Sequence, residues 1–366
     1  MRPDPLPGPA LARPAGRRAR APLVSPALFD FWARRLSPTW SWNQPLARVV
    51  AREQAASDAV SLVLKPNRHF RGFQPGQHVN LGVEVDGRRL VRSYSPSAPA
   101  TADGSFRITV KAIQGGKVSR FLHDHAKAGD VFTLGQAFGD LALPPEGDGP
   151  RLLLAAGSGI TPMMAIFASL ARRPDPAPTT LLYSTRTRGQ RCFVDELRAI
   201  AAANPALQVR FLLTRDRAVA GDEAEGRLDA GLLAPWLDAS AHVLACGPTG
   251  FVDAARKLLV DGSARFAAES FSPPVFENTD TGTVELTLAR SGRTLVVPRG
   301  QPLLDALEAA GLSPAHGCRR GLCNTCACTK PAGATRHLLT GDVEHEPVSA
   351  LRLCVNSARS DLVLDL

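Results

Sequence analysis

Four cysteines near the C-terminus constrain this chain more than any other feature. They are Cys318, Cys323, Cys326 and Cys354. The first three follow the pattern C-x4-C-x2-C, and 27 residues separate the third cysteine from the fourth. The chain of 366 residues holds seven cysteines, which is a sparse and odd number for a disulfide framework. A structural zinc site usually shows two closely spaced ligand pairs, whereas three of these thiols share one loop. The pattern therefore favours a different metal centre.

The spacing of the four thiols is the one that binds a [2Fe–2S] cluster in plant-type iron–sulfur domains. Small residues surround them in the segment Gly317–Cys326, as a loop needs when its backbone N–H groups turn inward to hydrogen-bond sulfur. Cys328 is interpreted as a small buried apolar residue, and it could replace Cys326 only with a change of loop register. We predict that the four thiols bind a [2Fe–2S] cluster, which carries one electron at a time.

Composition and charge bound the rest of the chain. Its length suggests two or three domains, its 44% hydrophobic content can supply their cores, and no window is apolar enough for a membrane span. We expect a cytoplasmic protein, because the N-terminus lacks the apolar segment of a secretory signal. The net charge of +9 is uneven, since seven arginines against Asp4 and Asp30 give residues 1–45 a charge of +5. We expect no nucleic-acid partner.

Residues 1–44 divide into a basic tail and a short amphipathic helix. Residues 1–22 are rich in Pro, Ala and Arg and are predicted to be disordered. Ser25–Pro26 is typical of a helix start, and Phe29, Trp32 and Leu36 share one face of the helix that follows. We favour packing of this face onto the next domain. The alternative, peripheral contact with the inner face of a membrane, stays open.

Three patterns follow one another along the rest of the chain. Residues 45–145 show short alternating strands punctuated by Gly and Pro, which predicts a small antiparallel β-barrel. Residues 146–271 alternate strands with helices, which predicts an α/β domain with a parallel sheet. Residues 272–282 are interpreted as a linker. Residues 283–366 open with a strand pair, then a helix closed by Gly311, then the cysteine loop, as in an α+β domain.

Three motifs in the first two domains have the composition of nucleotide-binding sites. Arg92–Ser95 combines a guanidinium that can bind phosphate with a ring that can stack and a hydroxyl, although a surface pattern is the alternative. Gly115–Ser119 opens a short helix, whose free N–H groups and dipole can bind a diphosphate. Gly157–Pro162 follows the apolar strand Leu152–Ala156, and its glycines let a pyrophosphate approach the backbone. Each motif alone is a weak signal.

The order of these motifs, followed by Cys246-Gly247-Pro248 after a further strand, resembles the ferredoxin–NADP reductase superfamily. The resemblance covers about residues 45–366 and includes a C-terminal plant-type ferredoxin domain with the β-grasp fold. It implies an NAD(P)H-dependent oxidoreductase that binds FAD, rather than the FMN of phthalate-dioxygenase-type reductases. Electrons would pass from NADPH to FAD, then to the [2Fe–2S] cluster, then to an external acceptor.

The resemblance also implies roles for individual residues. Tyr94 would stack on the isoalloxazine, with Ser95 near N5 and Cys246 beside the nicotinamide C4. Ser95, Cys246 and Glu269 are the predicted catalytic residues. The predicted flavin-binding residues are Arg92, Tyr94, Ser95, Gly116, Val118, Ser119 and Phe271, of which the last would cover the flavin. The predicted residues of the nicotinamide dinucleotide site are Gly157, Gly159, Thr161, Pro162, Gly247 and Pro248.

The charges after the second strand of the α/β domain favour NADPH over NADH. Ser184, Arg186 and Arg191 follow that strand, and no acidic residue appears before Asp195. A site for NADH commonly places a carboxylate at the ribose 2′-hydroxyl, whereas a 2′-phosphate needs cations. A solvated basic loop is the alternative.

Two further segments resemble those of a particular group of reductases and so suggest the electron acceptor. The segments Leu36–Trp42 and Cys318–Cys323 resemble those of bacterial reductases that serve membrane fatty-acyl desaturases. We therefore expect a desaturase as partner, and a Rieske-type oxygenase or a cytochrome P450 stays open. A redox sensor, or an electron-transfer subunit without activity of its own, is the alternative from another class. Arg319 and Arg320 beside the cluster could raise its potential or dock an acidic partner.

Overall fold

The computed structural model describes residues 25–143, 149–236, 240–259, 265–272, 276 and 280–366. The tail predicted to be disordered, residues 1–22, lies outside this part of the chain, as does much of the predicted linker 272–282. Three units with separate apolar cores follow one another. Within the described part, no helix combines the length and the apolar character that crossing a membrane requires.

The first unit is an antiparallel sheet preceded by a helix. Its elements are α1 (Pro26–Leu36), β1 (Leu46–Ala56), β2 (Ala59–Pro66), β3 (Val79–Val85), β4 (Arg88–Tyr94), β5 (Phe106–Lys111), α2 (Lys117–Asp124) and β6 (Val131–Leu134). The strand order is β4-β3-β6-β1-β2-β5, and all these pairings are antiparallel. Val60, Leu62 and Leu64 of β2 are fully buried in one core, because side chains two residues apart share a face of a strand.

The second unit is a parallel sheet flanked by helices. Its elements are β7 (Arg151–Ala156), α3 (Ile160–Leu170), β8 (Thr179–Thr185), α4 (Val194–Ala203), β9 (Leu207–Leu213), β10 (Glu223–Glu225), α5 (Ala230–Leu233), β11 (His242–Gly247), α6 (Thr249–Leu259) and β12 (Arg265–Ser270). The order is β10-β9-β8-β7-β11-β12, so the chain moves from β7 to one side and later returns to its other side. Sheets of this kind bind ligands at the carboxyl ends of the strands where the order reverses, here β7 and β11.

The third unit packs a helix on a three-stranded mixed sheet and adds two small antiparallel sheets. Its elements are β13 (Thr283–Leu288), β14 (Arg293–Pro298), α7 (Leu303–Ala309), β15 (Ala327–Lys330), β16 (Thr335–His337), β17 (Val343–Glu344), β18 (Val348–Arg352), β19 (Asn356–Ala358) and β20 (Leu362–Leu364). β13 pairs antiparallel with β14 and parallel with β20, and α7 contributes Leu303, Leu304 and Leu307 to the core. Gly311 ends the helix region with a φ of 81°, as expected of a glycine after a helix. The cysteine loop lies between α7 and β15.

Helix α1 forms where the sequence predicts it but packs differently. The hydroxyl of Ser25 caps it by accepting the N–H of Leu28 at 3.2 Å. The ring of Phe29 contacts a following tryptophan, Trp42, with 5.4 Å between centroids. Trp32 and Leu36 are 60% and 80% exposed, so the prediction that this face packs onto the next domain is wrong for both.

Candidate active site

The cysteine loop turns its backbone N–H groups toward sulfur. The N–H groups of Arg320 and Leu322 each donate to Cys318 Sγ at 3.4 Å. The N–H of Gly321 donates to Cys354 Sγ at 3.2 Å, although 33 positions separate the two residues. Hydrogen bonds of this kind orient sulfur ligands and stabilise their negative charge. The backbone N–H groups of this loop are therefore oriented toward the sulfurs of Cys318 and Cys354, as an iron–sulfur site needs.

The four predicted ligands lie in two hydrogen-bonded pairs, in each of which one sulfur favours the thiolate. The Cys318 thiol lowers the pKa of Cys323 and the Cys354 thiol lowers the pKa of Cys326, while the pKa values of Cys318 and Cys354 are raised in turn. Burial raises the pKa of the fifth nearby thiol, Cys328, to about 12, and this residue packs against the apolar core. Metals bind the thiolate form. The donor set thus fits the predicted ligands, with Cys328 as a packing residue.

The first flavin motif lies at the end of β4. Arg92 Nη1 donates to the carbonyl of Val91 at 2.7 Å. The pKa of Arg92 is lowered by burial and, to a smaller extent, by the positive charge of Arg319. A bound anion would stabilise the charged guanidinium and so oppose both effects. Burial raises the pKa of Tyr94, so its ring stays neutral against the barrel core. A diphosphate and an aromatic ring fit these two side chains.

The second flavin motif forms the N-terminus of α2. Gly115 has a φ of 75°, and a Cβ on Gly116 would lie 2.5 Å from Ser119 Oγ, so both positions need glycine. The Ser119 hydroxyl accepts the N–H of Ile113 at 3.3 Å, and Val118 is buried in the barrel core. No side chain caps this helix within the described residues. Its first N–H groups are therefore available to a diphosphate.

A buried histidine connects two of the predicted catalytic residues. His78, which is 1% exposed, places Nδ1 2.6 Å from Ser95 Oγ and hydrogen-bonds Glu269 Oε2 through Nε2. Each ring nitrogen of His78 thus has one partner, so the imidazole links the Ser95 hydroxyl to the Glu269 carboxylate. His78 is not among the residues predicted from the sequence. The available signal was that His78 and Asn80 alternate with the apolar residues Val79 and Leu81, which places both polar side chains on one face of a strand.

The nucleotide crevice depends on close contact between β7 and β11. Gly157 has a φ of 55°, and a Cβ on Gly159 would lie 2.0 Å from the carbonyl oxygen of Cys246. Cys246 is fully buried, and burial raises its pKa well above the ordinary value. It pairs across the sheet with Glu269 of β12. Cys246 and Glu269 are thus neighbours at the carboxyl edge, as their predicted roles require.

The other predicted residues of this site frame the same crevice. The hydroxyl of Thr161 donates to a backbone carbonyl of the preceding turn at 3.1 Å, and Pro162 lies in the first turn of α3. A Cβ on Gly247 would lie 2.9 Å from the Cβ of Ala156, so this position also needs glycine. Pro248 is exposed at the opening of the crevice.

The residues predicted to hold a 2′-phosphate are separated in the structure. Arg191 Nη1 donates to buried Glu223 at 2.7 Å, and Arg188 Nη2 donates to the same carboxylate at 2.8 Å. Arg188 is the main cause of a Glu223 pKa well below its usual range. Ser184 is buried, whereas Arg186 is exposed beyond the end of β8. Arg191 is therefore engaged inside the domain, and Arg186 remains available to a phosphate.

The cysteine loop contacts both of the other units. Asn80 Nδ2 donates to Thr325 Oγ1 at 3.0 Å, and its Oδ1 accepts the Ser93 hydroxyl of the first flavin motif at 2.8 Å. Arg320 Nη1 donates to the carbonyl of Ser270, at the end of β12. The cluster-binding loop therefore lies against the end of the barrel where the flavin motifs converge.

The two arginines beside the cluster have internal partners. Arg319 Nη1 lies 3.3 Å from Asp305 Oδ1, and its Nη2 hydrogen-bonds Glu308. The guanidinium carbon of Arg320 lies 5.3 Å from the centroid of the Phe271 ring. Because both side chains already have partners within the protein, these contacts do not support the hypothesis that Arg319 and Arg320 dock an acidic partner.

Family models match the three units in order. A model of oxidoreductase FAD-binding domains matches residues 46–141, and one of oxidoreductase NAD-binding domains matches residues 153–257. A model of 2Fe-2S iron-sulfur cluster binding domains matches residues 286–355. The chain is 33% identical over 365 residues to an NADPH oxidoreductase of Mycobacterium tuberculosis H37Rv, covering 96% of this chain and 92% of that relative. This chain belongs to the ferredoxin–NADP reductase superfamily.

Two further comparisons agree with this assignment. The reductase is 32% identical over 318 residues to the ferredoxin reductase component of 3-ketosteroid-9-alpha-monooxygenase of M. tuberculosis, covering 81% of this chain and 86% of the relative. The structure of phthalate dioxygenase reductase shares its fold, with a TM-score of 0.56 and 23% identity, covering 88% of this chain and 97% of the other.

These findings confirm the fold class and the cofactors. An antiparallel flavin domain, a parallel-sheet nucleotide domain and a plant-type ferredoxin domain follow one another, as predicted. The protein is an NAD(P)H-dependent oxidoreductase that uses FAD and a [2Fe–2S] cluster.

Proposed function

We propose that this reductase takes electrons from NADPH and passes them, through FAD and the [2Fe–2S] cluster, to a membrane fatty-acyl desaturase. The contact between the cysteine loop and the flavin end of the barrel supports the route, through Asn80–Thr325 and Arg320–Ser270. A bound flavin accepts two electrons as hydride and releases them singly, as a one-electron centre requires. The protein itself supplies binding, orientation and electrostatics.

The protein groups at the flavin act by position. Arg92 and the N-terminus of α2 bind the diphosphate, while Tyr94 provides the stacking surface. The hydrogen bond between His78 Nδ1 and the Ser95 hydroxyl fixes the position of this hydroxyl at the flavin site. Cys246, fully buried at the crevice, fills space that water would otherwise occupy beside the reacting carbon.

The preference for NADPH rests on two exposed arginines. Arg186 follows β8, and its carbonyl accepts the N–H of Arg215, which follows β9, at 2.9 Å. Because their backbones are in contact, both side chains extend from the same edge of the sheet, where the adenosine half of a dinucleotide binds. Two guanidinium groups there suit a 2′-phosphate.

The membrane-bound acceptor is supported by the exposed surface of α1. Five large apolar side chains on or after this helix are 51–80% exposed: Leu28, Phe31, Trp32, Leu36 and Trp40. The guanidinium carbon of Arg35 lies 3.9 Å from the centroid of the Phe31 ring, so cation and aromatic share one surface. Aromatic and basic side chains together favour the interface of an anionic bilayer. We therefore propose peripheral membrane contact at this surface.

The membrane contact can be tested with vesicles and the full chain. Wild-type protein should float with vesicles that contain phosphatidylglycerol, and far less with pure phosphatidylcholine. The double variant F31S/W32S should lose this binding, because both side chains would insert into the interface. V296S is the matched control, since Val296 is 70% exposed in the ferredoxin domain. Equal flotation of the double variant and V296S would show that this surface of α1 does not bind the membrane.

The electron source is tested by an anaerobic visible spectrum titrated with NADPH and, separately, NADH. Bleaching of the flavin and iron–sulfur bands by NADPH, and poorer bleaching by NADH, is the expected result. Absence of reduction by either nucleotide would support the sensor or subunit alternative instead. Adding the reduced protein to desaturase-containing membranes with an acyl-CoA then tests the acceptor by product formation.

A second acceptor class has a specific observation in its favour. The similarity to the reductase component of 3-ketosteroid-9-alpha-monooxygenase extends over 81% of this chain. We propose a Rieske-type oxygenase or a cytochrome P450 as the alternative acceptor. Faster reoxidation of the cluster by a purified oxygenase than by desaturase membranes would favour it.

A further inference from the structure

Arg320 joins the cluster loop to the end of the nucleotide domain. Its backbone N–H donates to Cys318 Sγ at 3.4 Å, so its main chain touches a cluster ligand. Its side chain donates to the carbonyl of Ser270 and lies over the ring of Phe271, at 5.3 Å from the centroid. A single residue thus contacts both a cluster sulfur and the aromatic that the family resemblance places over the flavin.

Phe271 is held from both sides. Its N–H donates to the carbonyl of Gly247 at 2.9 Å, which fixes its backbone at the crevice. Its ring contacts the ring of His78, with 5.7 Å between centroids, and Arg320 lies over the ring as well. The Phe271 ring therefore lies beside the Ser95–His78–Glu269 hydrogen bonds, where hydride has to arrive.

Nicotinamide and the Phe271 ring need the same space. Hydride transfer requires the reacting atoms to come within about 3–3.5 Å of one another, so an aromatic over the flavin has to leave first. Its departure breaks the contact with the Arg320 guanidinium. Because such coupling is reciprocal, whatever strengthens the contact also weakens nicotinamide binding.

We propose that Arg320 is a positioning residue that ties Phe271 to the cluster loop, so that nicotinamide binding and docking of this loop oppose each other. This inference rests on the proposed position of Phe271 over the flavin. The loop loosens while the nucleotide occupies the crevice. When the nucleotide leaves, Phe271 returns and the loop docks again in the arrangement that passes electrons to the cluster.

Arg319 offers a matched control for this proposal. It is the neighbouring residue of the same loop and carries the same charge. Its partners, Asp305 and Glu308, belong to the ferredoxin domain, in contrast to Ser270 and Phe271. Removing either charge should change the electrostatics of the cluster similarly, and only R320Q removes an attractive contact between domains.

The test uses the holoprotein with R320Q, R320K and R319Q. Ferricyanide, a small acceptor for flavin electrons, reports KM and kcat for NADPH, and cytochrome c reports electrons leaving the cluster. R320Q should lower the KM for NADPH by about three- to tenfold at unchanged kcat, because a contact between a cation and an aromatic ring contributes that order of affinity. Its cytochrome c rate should fall. R320K should lie between R320Q and the wild type, and R319Q should keep the wild-type KM.

Hydrogen exchange gives a readout independent of turnover. Without nucleotide, amides of residues 265–272 and 317–326 should exchange faster in R320Q than in R319Q. Equal KM values and equal exchange in these two variants would overturn the proposal. If R320Q fails to retain its cluster, R320K and F271L decide, since F271L should lower KM and speed exchange of the loop. Failure of NADPH to reduce the wild type would instead contradict the proposed function, and the exchange comparison would still test the contact.

Discussion

His78 joins side chains from two domains, and its removal should be costly. In H78F, buried Ser95 and Glu269 both lose a hydrogen-bond partner. Each polar group left unpaired costs about 1–3 kcal/mol, so we expect the free energy of unfolding to fall by about 2 kcal/mol or more. Urea denaturation of the holoprotein measures this. The control H125Q changes an exposed histidine at the end of α2 and should stay within about 0.5 kcal/mol of the wild type. Similar losses in both variants would contradict the structural role of His78.

Arg186 should determine the choice of nucleotide. Replacing it by alanine removes a cation from the proposed 2′-phosphate site, so the KM for NADPH should rise about tenfold while that for NADH stays unchanged. Steady-state kinetics with ferricyanide measures both values. R172A is the control, because exposed Arg172 follows α3 at the opposite edge of the sheet. A parallel rise of KM for both nucleotides in R186A would place Arg186 outside phosphate recognition.

Single residues differ in how far the sequence predicts them. The four cysteine ligands follow from local spacing, and the structure adds the N–H groups of the same loop. The contact of Arg191 with Glu223 could not be predicted, because the two residues lie 32 positions apart and no local pattern connects them. His78 was missed for the same reason, because Glu269 lies 191 positions further along. Local chemistry is readable from the sequence, whereas pairing across the fold needs the structure.

The turn between β7 and α3 should tolerate no side chain at Gly159. In G159A, the new Cβ would meet the carbonyl oxygen of Cys246 at 2.0 Å, which forces β7 and β11 apart. Overpacking of this kind costs about 1–3 kcal/mol, and the widened crevice should bind NADP⁺ more weakly. Urea denaturation and titration with NADP⁺ measure the two effects. G250A in α6 is the control, because nothing lies within 4 Å of a Cβ at Gly250. Unchanged NADP⁺ affinity in G159A would contradict the close contact.

The elements themselves were largely predictable. The apolar strand Leu152–Ala156 lies within β7, and the helix predicted to end before Gly311 corresponds to α7. Both follow from periodicity and from the residues that start and end each element. The packing of α1 did not follow, because an amphipathic pattern identifies an apolar face but not what covers it. Trp32 and Leu36 belong to the apolar face of α1, yet the structure leaves both exposed.

The three domains touch where electrons have to cross. Asn80 and Thr325 meet although 245 positions separate them, and Arg320 reaches Ser270 over 50 positions. The order of the domains could be predicted from the motifs, whereas local composition does not indicate these few polar contacts. They make the cluster loop part of the flavin site in space while each domain keeps its own core. Chemistry at the flavin and chemistry at the cluster should therefore be separable.

Removal of one cluster ligand tests this separation. C354S should lose the iron–sulfur bands, because a thiolate ligand becomes a hydroxyl, while FAD stays bound in a domain with its own core. NADPH-dependent reduction of ferricyanide should stay within about twofold, and reduction of cytochrome c should fall at least about tenfold, since only the second route needs the cluster. C328S is the matched control. Burial raises the pKa of Cys328 to about 12, and its side chain packs against the ferredoxin core, so this variant should keep both activities. Loss of the cluster in C328S would show instead that the loop binds iron in a shifted register, with Cys328 in place of Cys326.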